Sequence, residues 1–275
     1  MQVISLIEDL LRHCWPSPLP SPLPRMTYRE AMTRSAFRNH RLASLRLLQS
    51  TIFPRLLVRY GVDKPDLRFG SPIVDLRAAL RACGLAPLEA AAARQHCTIG
   101  GVFFPSTDLQ AARRVEKKVR EVFAAQLEAE RREGEAVITS ATSTLGGEVA
   151  GSLAKKLTAE SRAALAAAAG EGMVGVVVAG RSCVAAPVLG RARNLLAEAL
   201  LPDLAARPHA FTWVIDFPLF LEEEGAVEAA HHPFTAVHAE DRAWWRSRPL
   251  EARSLHYDLV VDGQEVRSGS GAGAA

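Results

Sequence analysis

Tyr257 to Val266 reads YDLVVDGQEV and is the most specific structural signal in the chain. Asp262 and Gly263 lie between two arms rich in apolar residues. An Asp-Gly pair is strongly favoured in the two-residue turns of β-hairpins, where both central residues take positive φ. The sequence therefore predicts a hairpin with arms at residues 256–261 and 264–266.

Two acidic residues of this hairpin are predicted to share one face. The turn pairs Val261 with Gln264 and Val260 with Glu265, and Asp258 faces the same way as Val260. Asp258 and Glu265 are then diagonal neighbours about 7 Å apart at Cα. Mg²⁺ is typically held by one or two carboxylates together with substrate phosphates, so the pair predicts a metal and nucleotide site. Two solvated acids on an exposed face remain the alternative.

Two adjacent histidines, His231 and His232, follow the acidic residues 222–224, which we expect to form a loop. Histidines in this setting can donate hydrogen bonds to an anionic small molecule. Zinc binding is not indicated, because no third ligand follows at a usual interval. Two ordinary loop residues remain an alternative, and a weaker hypothesis is a metal-dependent hydrolase that uses both histidines and Asp258.

The composition indicates a globular protein. The chain has 275 residues, 48% of them hydrophobic, and its 33 basic and 30 acidic residues leave a net charge of only +3, too little for a long-range field toward nucleic acid. No apolar run reaches the roughly 20 residues that span a bilayer. The four cysteines form no Cys-x-x-Cys pair, so we expect reduced thiols in an intracellular compartment.

Outward from the hairpin, hydrophobic periodicity predicts an α+β protein. The chain begins with an amphipathic helix over 1–11, followed by an extended proline-rich linker over 15–24. Residues 95–205 alternate strands and helices and predict a compact α/β or α+β module. The elements expected from there onward are strands at 101–104, 136–139, 173–179 and 211–215, a helix from Leu109, a helix capped by Thr158 and a helix that Pro187 opens.

Three segments carry no predicted helix or strand. Residues 33–58 are basic and favour an irregular insertion, with an RNA-binding arm as the alternative. Residues 59–68 place five charges around a glycine and a proline, which suggests an ordered surface loop. The tail, residues 268–275, has no apolar side chain beyond alanine and is expected to be disordered.

The helix from Leu109 carries one strongly charged face. Its basic residues alternate with Glu116, Glu121 and Glu128, which favours a solvated face over a surface for RNA or protein. The basic residues are Arg113, Arg114, Lys117, Lys118 and Arg120.

Several segments, taken in order, resemble the bacterial-type aspartyl-tRNA synthetases, a family of class II aminoacyl-tRNA synthetases. Residues 217–221 and 252–258 are most similar to the mitochondrial members. The resemblance covers most of the chain except residues 33–58 and the tail. The segments that carry it are 24–31 (PRMTYREA), 59–68 (RYGVDKPDLR), 213–218 (WVIDFP), 231–235 (HHPFT) and 257–266.

The resemblance implies a fold and a domain order. We expect a partial class II catalytic domain with an antiparallel sheet that carries an inserted α/β domain of the GAD type. The expected divisions are a catalytic helix and linker (1–32), the atypical insertion (33–58), a return to the catalytic domain (59–94), the inserted domain (95–205), the catalytic hairpin region (206–267) and the tail (268–275).

The resemblance also implies an activity, the ATP-dependent activation of aspartate and its transfer to tRNA-Asp. Asp258 and Glu265 match the family's ATP-binding carboxylates that hold Mg²⁺. His231 matches a residue that contacts aspartate, and His232 is its neighbour on the same loop. No catalytic residue is assigned. ATP, L-aspartate and tRNA-Asp are the implied partners, with a homodimer, no membrane contact, and the mitochondrial matrix or a bacterial cytoplasm as the location.

The chain departs from the family pattern in places. Arg267 follows Val266 where the family continues Gly-Gly-Gly-Ser, and Ala272 stands where a substrate-gripping arginine is expected. The family's anticodon barrel and first two motifs would precede residue 1, and its third motif would follow residue 275. We therefore expect a fragment without aminoacylation activity of its own. The alternative is a non-catalytic RNA- or protein-binding module built on the inserted domain.

Overall fold

The computed structural model describes residues 2–31, 59–133, 135, 137–146, 148–223 and 226–271. The insertion predicted at 33–58 and residues 272–275 of the tail lie outside these ranges. Helices and largely antiparallel sheets make up the described part, so the predicted α+β class is confirmed. The boundaries expected between domains stay a prediction.

The described part of the chain contains both helices and strands, numbered here in chain order. The helices are α1 (Gln2–Cys14), α2 (Tyr28–Ala31), α3 (Arg77–Leu80), α4 (Ala86–Ala93), α5 (Leu109–Val122), α6 (Ala124–Arg132), α7 (Ala159–Ala169) and α8 (Ser182–Leu200). The strands are β1 (Arg25–Thr27), β2 (Val74–Asp75), β3 (Cys97–Pro105), β4 (Ile138–Leu145), β5 (Glu148–Gly151), β6 (Met173–Arg181), β7 (Phe211–Ile215), β8 (Phe220–Glu223), β9 (Ala226–Ala229), β10 (His256–Val261) and β11 (Gln264–Ser270).

The first sheet has the order β1-β7-β10-β11 and contains the predicted hairpin as β10 and β11. Side chains of successive residues point to opposite faces of a strand, so Trp213 and Val214 enter different cores. Trp213 packs with Leu259 under α1, while Val214 packs with Val260 under the loop at residues 59–68. Burying a large apolar side chain stabilises the fold by about 1.5–3 kcal/mol, which fixes both layers against the sheet.

The second sheet has the order β2-β3-β6-β4-β5, and all its pairs are antiparallel. Of the two classes considered for this module, the antiparallel pairing is that of an α+β fold. Val176 and Val178 face a core shared with α5 and α8, whereas Val177 and Ala179 face a core shared with α3, α4 and α7. The continuous apolar run of β6 is explained by burial on both faces.

Local signals were mostly reliable, with three exceptions. The hydroxyl of Thr158 caps α7 by accepting a hydrogen bond from the backbone N–H of Ser161 at 3.2 Å, as predicted. Pro187 does not open α8, because the helix begins at Ser182 and the proline lies inside it. The residues before the proline, 184–186, are buried against the sheet, and this packing offsets the missing N–H donor.

The other two exceptions concern strands. Glu222 and Glu223, expected to lie in an acidic loop, instead belong to β8, which pairs with β9, and residue 224 lies outside the described ranges. The tail expected to be disordered begins as strand, since β11 continues through Ser270 opposite His256. Gly269 lies directly over Tyr257, where a Cβ atom would come within 2.6 Å of the phenol oxygen. A segment poor in apolar side chains is thus ordered by backbone pairing and close contact.

Candidate functional site

The turn of the hairpin has the predicted geometry. Asp262 has φ of 54° and Gly263 has φ of 79°, the two positive values that a type I′ turn requires. Val261 pairs with Gln264 and Val260 pairs with Glu265, which confirms the predicted register next to the turn.

A β-bulge follows this register. Leu259 pairs with Arg267 although Val260 pairs with Glu265, so Val266 is an extra residue on β11. A bulge increases local twist and re-aims the side chains beside it. Beyond it, Asp258 lies opposite Ser268. The sequence carried no clear signal for this shift, because both arms alternate acceptably with or without it.

Asp258 and Glu265 converge on one cation, the ammonium group of Lys64. Its Nζ lies 3.8 Å from Oδ2 of Asp258 and 3.4 Å from Oε2 of Glu265, and 2.6 Å from Oδ2 of Asp63. The Asp258 side chain is 3% exposed and the Glu265 side chain 38% exposed. The pair therefore lies on one side of the hairpin, and Asp258 is not the solvated acid of the alternative interpretation.

The Asp258 carboxylate is buried but remains ionised. Burial raises its pKa, while His256, Ser268 and Lys64 lower it, and the net shift is downward. Its Oδ1 lies 3.0 Å from Nε2 of His256, yet this buried oxygen has no partner with hydrogen-bond geometry. A charged, incompletely satisfied carboxylate beside a second carboxylate is a donor set that fits a hard divalent cation such as Mg²⁺.

Lys64 is held in place by the loop at residues 59–68, which fits closely against α8. A Cβ atom on Gly61 would lie 2.3 Å from the carbonyl oxygen of Ala186, and one on Gly190 would lie 2.7 Å from the carbonyl oxygen of Gly61. Gly61 has φ of 71°, which also favours glycine. Side chains larger than hydrogen at these two positions would force the loop and the helix apart.

Arg193 of α8 ties the same loop to the helix. It is fully buried and donates hydrogen bonds to the carbonyl oxygens of Asp66 (2.7 Å), Gly70 (2.5 Å) and Ser71 (3.0 Å). Its guanidinium carbon lies 4.7 Å from the centre of the Tyr60 ring. Burial lowers the pKa of Arg193 to about 10, so the group is still protonated at neutral pH.

The other end of the loop is fixed to the hairpin turn. Arg68 Nη2 lies 2.7 Å from Oδ2 of Asp66, and Arg68 Nε lies 3.4 Å from Oδ1 of Asp262. A Cβ atom on Gly263 would meet the Cβ of Asp66 at 3.0 Å. The loop is ordered, as predicted, and it is partly covered by α8 and the hairpin: Tyr60, Gly61, Pro65 and Asp66 are buried, whereas Arg59 is exposed.

His231 stacks on His256 beside the acidic pair. The ring centres are 3.7 Å apart and the planes differ by 9°, while Phe217 meets both rings edge to face. Burial lowers the pKa of His231 to about 4, with further lowering from His256, Lys64 and His232 and an opposing effect of Asp258. His231 is therefore neutral at pH 7 and can donate one hydrogen bond and accept another.

His232 has a different environment. Its side chain is exposed, and its ring stacks on Phe234 at 5.0 Å between centres. The structure thus brings His231, but not the ring of His232, into the stack that reaches Asp258 through His256. The hydrolase hypothesis gains nothing from this arrangement. Among the described residues, the one group able to hold a metal through three His, Cys, Asp or Glu ligands is different and consists of His238, Glu240 and Asp241.

That other group is already neutralised by an arginine. Arg253 Nη2 lies 2.7 Å from Oε2 of Glu240 and 2.8 Å from Oδ1 of Asp241, and Arg253 Nη1 lies 3.9 Å from Oδ2 of Asp216. Its acidic groups consequently hold this side chain in place, and a metal ion there would have to displace Arg253.

Sequence reasoning missed Lys64, His256 and Arg193. Lys64 and Arg193 are distant in sequence from the hairpin, so spacing could not join them to it. The only sequence signal for Lys64 was the composition of the loop at 59–68, where five charged residues surround a glycine and a proline. Such a composition indicates order, and it leaves open what the ordered side chains face.

The charged face of α5 carries ion pairs between its own residues, and its solvated character stays a prediction. Lys117 and Glu121 lie 4.0 Å apart at their charged atoms, as do Arg120 and Glu116, and both basic side chains are exposed. Such pairs on a helix surface are typical of a solvated face. All four cysteines are free thiols. No helix in the described ranges is both long and apolar enough to cross a membrane.

Comparison with known proteins adds the family to this geometry. Residues 1–272 match the family described as tRNA synthetases class II (D, K and N). The chain is 32% identical to the human mitochondrial aspartate–tRNA ligase, over 97% of this chain and 38% of that protein. It is 32% identical to the aspartate–tRNA(Asp/Asn) ligase of Moorella thermoacetica, over 98% of this chain and 40% of that protein.

A third relative, the aspartate–tRNA ligase of Geobacillus kaustophilus, is 34% identical over 92% of this chain and 38% of its own length. The chain thus spans about two fifths of the length of the curated relatives it matches. The match over nearly all of this sequence confirms the resemblance that the separate segments indicated. The chain belongs to the class II tRNA synthetases of the D, K and N group.

Proposed function

We propose that the β10–β11 hairpin, Lys64 and His231 form part of a site for ATP, Mg²⁺ and L-aspartate. This site would serve the ATP-dependent activation of aspartate and its transfer to tRNA-Asp. The single observation that carries the proposal is the convergence of the Asp258 and Glu265 carboxylates on one cation. The reaction is inferred from the names of the relatives, which are aspartate–tRNA ligases. The hairpin provides the two carboxylates that a metal–nucleotide complex requires.

The two carboxylates would hold Mg²⁺ through Oδ1 or Oδ2 of Asp258 and a carboxylate oxygen of Glu265. Mg²⁺ bound there would neutralise phosphate charge on the nucleotide. Asp258 is suited to this role because it is buried, ionised and only partly hydrogen-bonded. Glu265 is more exposed, so it can approach a metal–phosphate group from the solvent side.

Lys64 acts as the internal counter-ion when the metal is not bound. Two neighbouring carboxylates without a cation would repel each other, and the ammonium group offsets that repulsion. Burial lowers the pKa of Lys64, but Asp63, Asp258 and Glu265 raise it, and the net shift is upward. Lys64 therefore stays charged, and a bound metal would have to compete with it or displace it toward a phosphate.

His231 would contribute to aspartate binding as a neutral donor. Its ring is oriented by the stack on His256 and by the edge of Phe217. A neutral imidazole can donate a hydrogen bond to a carboxylate without requiring a proton from solvent. The exposed His232 would reach the substrate only if the 231–235 loop moved, so we assign it a weaker contribution.

The remaining features of the proposed function follow the relatives. Both mitochondrial and bacterial proteins are among them, so a mitochondrial matrix or a bacterial cytoplasm is the proposed location. A homodimer and tRNA-Asp binding are likewise proposals.

A ligand-selectivity experiment tests the proposed function. The purified chain would be titrated calorimetrically with the non-hydrolysable sulfamoyl analogue of aspartyl-adenylate, with and without Mg²⁺. The asparaginyl and glutamyl analogues would serve as controls. We expect the aspartyl analogue to bind most tightly and His231→Gln to weaken it by about tenfold, the loss of roughly one good hydrogen bond to a charged group. Equal affinity for the three analogues, or no binding, would overturn the proposal.

A further inference from the structure

Residues 242–248 form a turn of unusual composition that the proposed function does not use. They read RAWWRSR, which places three arginines and two tryptophans in seven residues without any acid. The backbone N–H groups of Trp244 and Trp245 donate to the carbonyl oxygen of Asp241 at 3.1 and 3.0 Å, which fixes the turn. We refer to residues 242–248 as the Trp–Arg turn.

Each tryptophan of the Trp–Arg turn carries an arginine over its ring. The guanidinium carbon of Arg246 lies 4.6 Å from the centre of Trp245, and that of Arg248 lies 4.5 Å from the centre of Trp244. Phe220 of β8 stacks on Trp245, with ring centres 5.8 Å apart and planes within 18°. Both indoles remain partly exposed. The result is a surface of flat aromatic and cationic groups that already stack on one another in the absence of a ligand.

The charge of the Trp–Arg turn is positive and incompletely paired. Arg248 lies 3.2 Å from Oε2 of Glu251. Arg242 and Arg246 are exposed, and within the described ranges neither has an ion pair with a carboxylate. The nearest acidic residues in sequence, Glu240 and Asp241, already bind Arg253. Two guanidinium groups are therefore available to an anion beside the two indoles.

We propose that the Trp–Arg turn binds single-stranded RNA. Unpaired bases stack on aromatic rings and on arginine planes, and guanidinium groups contact phosphates. Tryptophans and arginines whose side chains are already ordered lose little conformational entropy when a ligand stacks on them. A helical duplex hides its base faces, and an apolar peptide leaves the two arginines unpaired, so neither satisfies the whole surface. These residues lie outside the proposed metal and aspartate site, so either proposal can fail alone.

The test uses a short fluorescently labelled oligouridylate and fluorescence anisotropy, so that the readout does not depend on the protein's own tryptophans. We expect Trp244→Leu and Trp245→Leu each to weaken binding by about tenfold, as for loss of one stacked base. We expect Arg242→Gln with Arg246→Gln to reduce the slope of log affinity against log salt by about 0.7 for each phosphate that is no longer neutralised. The matched control, Lys117→Gln with Arg120→Gln on α5, removes two exposed basic residues elsewhere and should leave binding unchanged.

The unfolding midpoint of each variant is measured as well, so that loss of binding can be distinguished from misfolding. The arginine variants alter exposed side chains and should keep the wild-type unfolding midpoint, so their result stands even if a tryptophan variant unfolds. Three outcomes would overturn the proposal: no binding of the oligouridylate by the wild type, equal affinity of the wild type and the Trp–Arg turn variants, or loss of binding only in the α5 control. Equal affinity for a duplex of the same length would also contradict it, because stacking requires unpaired bases.

Discussion

The Nζ of Lys64 lies 3.4 Å from Oε2 of Glu265, although the two residues are brought together by a loop and a hairpin far apart in sequence. The same ammonium group faces Asp258, so one lysine balances both carboxylates of the hairpin. The position of the Lys64 ammonium group between the two carboxylates is therefore one where a positive charge is stabilised. It also makes the loop at residues 59–68 part of the site.

Lys64→Met should tighten the binding of Mg²⁺ and weaken the metal-free fold. Removing the competing cation leaves two unbalanced carboxylates, which repel each other until a metal binds. Because the lysine is partly exposed, we expect an effect of about 1 kcal/mol, or about fivefold in Kd. Calorimetric titration with Mg²⁺ and thermal unfolding in EDTA would measure the two effects.

Lys155→Met, which removes an exposed lysine elsewhere, is the control and should change neither quantity. Weaker Mg²⁺ binding in Lys64→Met would mean that the lysine assists the ligand and does not compete with the metal.

His231 should make the metal-free fold sensitive to acid. Its pKa is about 4 in the folded state and near 6.5 when unfolded, so the unfolded chain binds the proton more readily. The stability due to this group is fully present above pH 6.5 and is lost as the pH falls toward 4. After allowance for solvent screening, we expect a loss of about 1–2 kcal/mol over this range.

Urea unfolding of the wild type and His231→Gln between pH 7 and pH 4.5 would measure this effect. The variant should show the smaller pH dependence, since His256, Asp258, Lys64 and His232 would no longer surround a titrating ring at this position. His13→Gln, on the exposed face of α1, is the control. Identical pH dependence in the wild type and His231→Gln would contradict the prediction.

Gly190→Ala should separate α8 from the loop that carries Lys64. The added Cβ would lie 2.7 Å from the carbonyl oxygen of Gly61, so either the loop backbone at Gly61 or α8 must move. Overpacking of this kind costs about 1–3 kcal/mol. Chemical denaturation would measure the loss, and Mg²⁺ titration would show whether the displaced loop also changes metal affinity.

Glu198→Ala alters an exposed position on the same helix and should leave both measurements close to the wild type. An unchanged free energy of unfolding in Gly190→Ala would mean that the loop is not held by this contact.

The sequence predicted the parts of the site that depend on local chemistry. Asp262 and Gly263 determine the turn, and the turn determines the pairing of Val260 with Glu265. The common face of Asp258 and Glu265 follows from strand alternation. Pro187 shows the limit of such rules, because burial of its neighbours overrides the usual preference of proline for the first helical turn.

The parts that could not be predicted depend on tertiary contacts. The need for glycine at positions 61 and 190 becomes clear only in the folded structure, where Gly61 of the loop and Gly190 of α8 are in close contact. In the sequence, Lys64 is one of five charged residues of the loop, and only the folded structure shows that it contacts the hairpin carboxylates. Strand pairing also ordered Ser268 to Ser270, where composition alone indicated disorder, because backbone hydrogen bonds do not require apolar side chains.

Mn²⁺ binding in the presence of ATP tests the central claim most directly, with the free-ion electron paramagnetic resonance signal as the readout. We expect Asp258→Asn and Glu265→Gln each to weaken Mn²⁺ binding by about tenfold or more, as is typical when a carboxylate ligand is removed. Glu228→Gln, an exposed acid on β9, should bind Mn²⁺ like the wild type. Equal Mn²⁺ affinity in the wild type and all three variants would contradict the assignment of the hairpin carboxylates to a metal and nucleotide site.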